Sequence, residues 1–156
     1  MESSEQKKYL SENKQKKEKV LIGSFFFLFL ILVAFDQLVK NFANNIFKNS
    51  QFAFSLPVPI GLIYVIYICV LVAMVNYVLK NYRKFSLVAG LAWVLIFAGA
   101  ISNIAERIFT GYVKDFIYIT FMKWTGVYNL ADFFIIAGII LLLIPISKLN
   151  NKPYDI

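Results

Sequence analysis

The sequence predicts an all-α integral membrane protein with four transmembrane helices, a small extracytoplasmic β-element and both termini on the cytoplasmic side. Three observations lead there. Of the 156 residues, 60% are hydrophobic, more than a soluble domain of this length carries. Most of them gather in four long runs. The basic residues are divided unequally among the segments between those runs.

The first run is "VLIGSFFFLFLILVAF" (20–35), short of a span until it continues through "DQLVKNF" (36–42). The second is "LPVPIGLIYVIYICVLVAMVNYVL" (56–79), the third "FSLVAGLAWVLIFAGAISNIA" (85–105) and the fourth "VYNLADFFIIAGIILLLIPI" (127–146). A helix crosses about 30 Å of hydrocarbon with roughly 20 residues. Lipid supplies no water to backbone N–H and C=O groups, so the spans are helices. The first run is not read as a cleaved signal peptide, because "LVAFDQLVK" puts Phe and Asp where small residues are needed.

Orientation follows from Lys and Arg. Eleven of the 16 lie in the N-terminal segment, in "KNYRK" (80–84) and after the fourth run. The other five, Lys40, Lys48, Arg107, Lys114 and Lys123, lie in segments 36–55 and 106–126. Both termini and the 80–84 turn are therefore expected on the cytoplasmic face. The expected organisation is a basic cytoplasmic tail without regular structure (1–19), a four-helix transmembrane domain (20–147) and a second cytoplasmic tail (148–156). A net charge of +7 is then a topology signal and an affinity for anionic headgroups. A nucleic-acid partner would need a folded basic face, so none is expected. No internal repeat suggests a second domain, and the chain reads as a monomer.

The outer segments carry strand signals. "QFAFS" (51–55) and "YVKDFIYITFMKW" (112–124) are rich in aromatic and β-branched residues with partial period-two alternation. On one strand Val113, Asp115, Ile117, Ile119 and Phe121 would share a face. The two segments are expected to pair at the outer membrane surface.

Cys69 is a lone cysteine, expected as an inert buried residue of the second span. There is no His, which removes the HExxH zinc helix and the Ser-His-Asp triad. No glycine-rich phosphate cradle is present, and neither metal nor other cofactor is expected. What remains is a polar set at the outer ends of the spans: Asp36, Lys40, Asn49, Asn103, Glu106, Arg107, Asp115, Asn129 and Asp132. Ionisable groups at membrane depth are costly, so a functional role is the default.

Asp36 and Lys40 stand at i,i+4 and read as a structural ion pair, and Glu106 reads as structural too. Asn129 and Asp132 stand at i,i+3 at the entrance of helix four, with Asp115 on the strand leading there. Asp115 and Asp132 can therefore meet. Two facing carboxylates share one proton over a broad pH range. The ionised member can take a proton from water attacking a peptide carbonyl, and the protonated member can serve the oxygen and the leaving amine. Plainer readings stand beside this one. Asp132 could be only a helix cap, Asp115 a solvated strand residue, Arg107 a snorkelling cation, and Asn103 and Asn129 interhelical hydrogen-bonders. Acids within four helices could also serve a small ion-coupled transporter, though that expects broken helices and repeats.

Four ordered boxes carry a family resemblance. "FDQLVK" (35–40) resembles a DQxxK box, "NSQFAFS" (49–55) an NxGxAFS box, "AGAISNIAERIFTGYVKDFI" (98–117) a GGAxGNxxDRxxxGxVxDFI box and "YNLADFF" (128–134) an FNxAD box. The chain thus resembles the lipoprotein signal peptidases, the type II signal peptidases of bacteria. That resemblance implies a multi-pass aspartic endopeptidase of the bacterial cytoplasmic membrane, with Asp115 and Asp132 as its catalytic dyad. It implies prolipoprotein substrates cut just before a diacylglyceryl-modified Cys, with Asn49, Asn103, Arg107 and Asn129 binding substrate or orienting the dyad. A family member that binds lipidated peptides without cutting them is the alternative. The departures are Gln51, Ala98 and Ser102 in place of glycines and Glu106 in place of Asp. Ala and Ser still allow close helix packing, whereas Gln51 stands where a glycine turn or close approach is expected.

Overall fold

Helix α1 runs from Ser4 to Phe42, 39 residues without a break, in a computed structural model that describes residues 4–50, 60–122 and 124–144. The expected irregular tail is therefore corrected over residues 4–19, which form the first turns of α1. The physical reason is composition. "EQKKYLSENKQKKEK" holds many Glu, Gln, Lys and Leu residues, which are good helix formers, and no Pro or Gly separates it from the apolar run. At 1.5 Å per residue α1 is roughly 58 Å long, about twice the hydrocarbon thickness.

Strand β1 (Phe47–Asn49) follows, then α2 (Ile60–Asn81), a short 3₁₀ turn (Tyr82–Lys84) and α3 (Leu87–Thr110). Ser86 caps α3, its hydroxyl accepting from the Ala89 N–H at 3.2 Å. Gly111 ends it at φ 81°, a left-handed conformation suited to glycine, with its N–H on the Arg107 carbonyl. Next come β2 (Val113–Asp115), β3 (Ile117–Phe121), β4 (Trp124–Tyr128) and α4 (Leu130–Leu143). Among the described residues, three helices are long and apolar enough to cross a membrane. The fourth is apolar but has 14 residues, roughly 21 Å. Val127 and Tyr128, expected to open the fourth helix, instead end β4.

Helices α3 and α4 meet along small residues. Ala92, Ala98 and Ala131 have no exposed surface. A Cβ on Gly99 would strike the Ala131 carbonyl, and one on Gly138 would lie 2.6 Å from the Ala92 carbonyl oxygen. Such close backbone approach is how helices associate where no hydrophobic effect separates them from lipid. Helix α2 differs. None of its described residues is buried, and it touches α3 through the Tyr64 hydroxyl on the Arg107 carbonyl and through Tyr77 stacked near Phe85 and Trp93. Cys69, expected buried, is exposed on this helix.

The outer strands correct the sequence reading in one respect and extend it in another. β1 pairs antiparallel with β2, Phe47 opposite Asp115 and Asn49 opposite Val113. The expected strand at 51–55, with Gln51, lies outside the described residues. The expected single strand over 112–124 is broken after Asp115, where Phe116 turns its N–H to the Tyr128 carbonyl at 2.9 Å. β3 and β4 form a separate hairpin with Ile117 opposite Tyr128. One-face alternation thus holds for the buried Val113 and Asp115 and fails beyond, since Tyr118, Ile119 and Phe121 are all exposed. Met122 holds the hairpin turn at φ 53° without a Gly or Asn to announce it.

Candidate active site

The hairpin determines what meets what. Because Ile117 pairs with Tyr128, the residue before β3 and the residue after β4 lie side by side. Those are the neighbourhoods of Asp115 and Asn129. The Asn129 Nδ2 donates to Asp115 Oδ1 at 2.6 Å across a sequence gap of 14 residues. Asn129 is also the N-cap of α4: its Oδ1 accepts from the Asp132 N–H at 3.1 Å, and Asp132 Oδ2 accepts from the Asn129 N–H at 3.1 Å. This reciprocal capping box fixes the first turn of α4. One asparagine therefore contacts both carboxylates, through its side chain to Asp115 and through its backbone to Asp132.

The remaining oxygens are also occupied. Asp115 Oδ2 accepts from Asn49 Nδ2 at 2.8 Å. Asn49 sits diagonally across the β1–β2 ladder from Asp115, on the same face. Asp132 Oδ1 accepts from Asn103 Nδ2 at 2.8 Å, offered from α3. Every carboxylate oxygen of the pair thus has one N–H donor from a neutral amide. Among the described residues neither carboxylate forms a salt bridge. Asp115 is 1% exposed, and burial holds its carboxyl above the usual carboxylate range. The amides of Asn49 and Asn129 pull in the opposite direction, the charge of Asp132 adds to the rise, and Lys40 opposes it at longer range.

A second polar cluster lies beside the pair. Lys40 Nζ contacts Asp36 Oδ2 at 2.8 Å, Glu106 Oε2 at 3.0 Å and Asn103 Oδ1 at 2.8 Å. Asp36 also accepts from the Ser102 hydroxyl at 2.5 Å and from the Ala131 N–H at 2.9 Å. Gln37 Nε2 donates to Ser102 Oγ at 2.7 Å. Glu106 reaches β2 as well, accepting from the Lys114 N–H at 3.3 Å, with Lys114 Nζ 3.7 Å from its other oxygen. The i,i+4 pair of Asp36 and Lys40 is therefore present as expected, and Glu106 joins it.

Of the nine polar residues singled out, eight fall into these two linked clusters. The ninth, Arg107, lies close enough for its charge to act on Asp132, with its guanidinium 5.7 Å over the Tyr67 ring and its carbonyl accepting from Tyr64. The sequence reading missed Ser102 and Gln37 as partners, treating Ser102 only as a small residue. The signal was there in the adjacency of Asp36 to Gln37 and of Ser102 to Asn103, once helices α1 and α3 are laid side by side. The roles of Lys114 and Tyr67 left no comparable trace.

Comparison with known proteins bears on this geometry. A family profile described as Signal peptidase (SPase) II matches residues 28–148. A lipoprotein signal peptidase of Fusobacterium nucleatum is 28% identical over 147 residues, covering 82% of this chain and 88% of that protein. One from Streptococcus thermophilus is 34% identical over 84 residues, 54% of either chain, so the match spans about half of that relative. A solved bacterial membrane enzyme superposes with a TM-score of 0.69 at 26% identity, over 86% of this chain and 95% of its own.

Proposed function

The chain belongs to the signal peptidase II family, and from that premise we propose that it is an intramembrane aspartic endopeptidase whose dyad is Asp115 and Asp132. Its substrates are prolipoproteins, cut just before a diacylglyceryl-modified Cys. The observation that carries the mechanism is the double engagement of Asn129, which brings two carboxylates together with only neutral donors on them. Like charges held close cannot both ionise cheaply, so the pair keeps one proton between them. The ionised member removes a proton from water as the water adds to the scissile carbonyl. The protonated member hydrogen-bonds the developing oxyanion and, as the tetrahedral intermediate collapses, gives its proton to the leaving amine, so that the dyad again holds one proton. The amides of Asn49, Asn103 and Asn129 keep both carboxylates aimed throughout, and Arg107 holds substrate carbonyls beside them.

Topology supplies the substrate. With four spans and both termini cytoplasmic, the dyad stands at the outer bilayer interface, and residues 20–147 form the peptidase domain. A diacylglyceryl anchor fixes the Cys at that depth, each buried methylene contributing about 0.8 kcal/mol of membrane affinity. The apolar part of the signal peptide fixes the other side of the bond. Holding both ends replaces a rare encounter with an aligned one.

The test uses the purified full chain in a bilayer with one precursor, prepared with and without its diacylglyceryl group. Cleavage of the lipidated form alone is expected, with Asp115→Asn and Asp132→Asn each inserted, folded and inactive. Equal cleavage of both precursors would remove the lipid requirement. Binding without cleavage by the unaltered chain would leave a lipopeptide-binding relative in place of a peptidase.

A further inference from the structure

Three buried ionisable groups, Asp36, Lys40 and Glu106, take no direct part in the peptidase mechanism. Lys40 is 0% exposed, and its ammonium carries three N–H bonds. Three acceptors take them, one each from Asp36, Glu106 and Asn103. The third contact has a consequence for Asn103. An ammonium can only donate, so the amide must turn its oxygen to Lys40 and its NH₂ away. The NH₂ then points at Asp132 Oδ1, 2.8 Å from Nδ2. With the amide flipped, NH₂ would face ammonium and carbonyl would face carboxylate, and both contacts would repel. A hydroxyl or amide in place of Lys40 could accept as well as donate, and would permit either orientation. Only a cation rules one out.

Asp36, one helical turn earlier, grips the backbone from the other side. Its Oδ1 accepts from the N–H of Ala131, the residue before Asp132. A single turn of α1 thus sets both the backbone leading to Asp132 and the amide in front of its carboxylate.

We propose that Lys40 is a positioning residue for the peptidase reaction, holding Asn103 with its NH₂ toward Asp132 so that this carboxylate stays aimed at its partner Asp115. The assignment rests on the reading of Asp115 and Asp132 as the dyad. It differs from a purely structural ion pair in what it makes measurable. A structural lysine governs how many molecules fold, whereas a positioning lysine governs how fast each folded molecule works.

The experiment compares Lys40→Met with the unaltered enzyme, counting competent sites by binding of a non-cleavable lipidated peptide. Met keeps the length and loses the donors. The rate per site is expected to fall about 100-fold, as misplacement on the ångström scale costs, while the dissociation constant for the peptide stays unchanged. Should Lys40→Met fail to accumulate, Lys40→Met with Glu106→Gln removes one charge of each sign and leaves Asp36 on the Ser102 and Ala131 donors alone. The same loss per site is expected there. Glu106→Gln alone keeps an acceptor for Lys40 and should retain the rate. An unaltered rate per site in either Lys40 variant overturns the proposal. If Asp115→Asn or Asp132→Asn still cleaves, it is the dyad reading that has failed. If both are inactive while Lys40→Met works normally, only the assignment to Lys40 falls.

Discussion

The two halves of the polar cluster hold their carboxylates in opposite ways. Asp36 and Glu106 face the Lys40 ammonium. Asp115 and Asp132 face amide N–H groups, which orient an oxygen without neutralising it. A carboxylate held by neutral donors, close to a second one, stays able to gain or lose a proton. The same residue type in neighbouring places thus serves as a brace in one and, in the proposed mechanism, as chemistry in the other. What divides them is whether the third partner carries a charge.

The sharpest way to break this contrast is at the amide-held pair. Asp115→Asn and Asp132→Asn are each expected to lower the cleavage rate by about four orders of magnitude or more, with the double variant scarcely slower, because the two act as a unit. Single-turnover cleavage of a lipidated precursor measures this, and additive losses in the double variant would separate the residues. The cation-held half should fail differently. Asp36→Ala takes one of the two carboxylates from Lys40 and removes the acceptor from Ala131 and Ser102, and the expected loss is about 3–5 kcal/mol of stability, the usual cost of breaking a buried pair. Thermal unfolding in detergent checks it, and a fully stable Asp36→Ala protein would show that the brace carries nothing.

Between the two lies the α3–α4 seam, which sets the depth of Asp132. Gly99→Ala places a methyl against the Ala131 carbonyl and should push the first turn of α4 away from α3. Overpacking of this kind costs about 1–3 kcal/mol, and activity per folded molecule should fall with it. Retained activity would mean that the α4 entrance tolerates displacement. The smallest expected effect concerns protons. Asn49 donates to Asp115 and opposes the rise that burial causes. In Asn49→Ala the carboxyl binds its proton more tightly, so the limbs of the pH–rate profile move to higher pH. Stability follows the same sign. The folded chain holds the Asp115 proton at pH values where the unfolded chain has lost it, so this residue's contribution declines as pH rises from the ordinary carboxylate range through the raised value. Asp115→Asn removes that slope. Rate profiles and melting temperatures across pH read both, and an unmoved profile in Asn49→Ala would assign its hydrogen bond to structure alone.

Much of this was legible in the chain. The apolar runs gave α1 to α3, because backbone in lipid has no alternative to the helix. The spacing of Asp36 and Lys40 gave their ion pair, since i,i+4 positions share a face. The four boxes gave the family. The fourth helix was placed early, because Val127 and Tyr128 are as suited to a strand as to a span. The tail at 4–19 was read as irregular from its charge, although charged residues with good helix propensity follow a helix already nucleated beside them.

Sequence by itself determined the residue types, the helical segments and the local pairs, because these rest on periodicities within one element. The tertiary structure decided which carboxylates met neutral donors and which met a cation. That outcome depends on contacts 14 to 95 residues apart in the chain, set by a hairpin whose turn at Met122 carries no turn residue and by a helix seam only wide enough for glycine. No periodicity encodes such distances. They follow from how the elements close on one another, and it is that closure which sets Asp36 against the Lys40 ammonium and Asp132 against amide N–H groups.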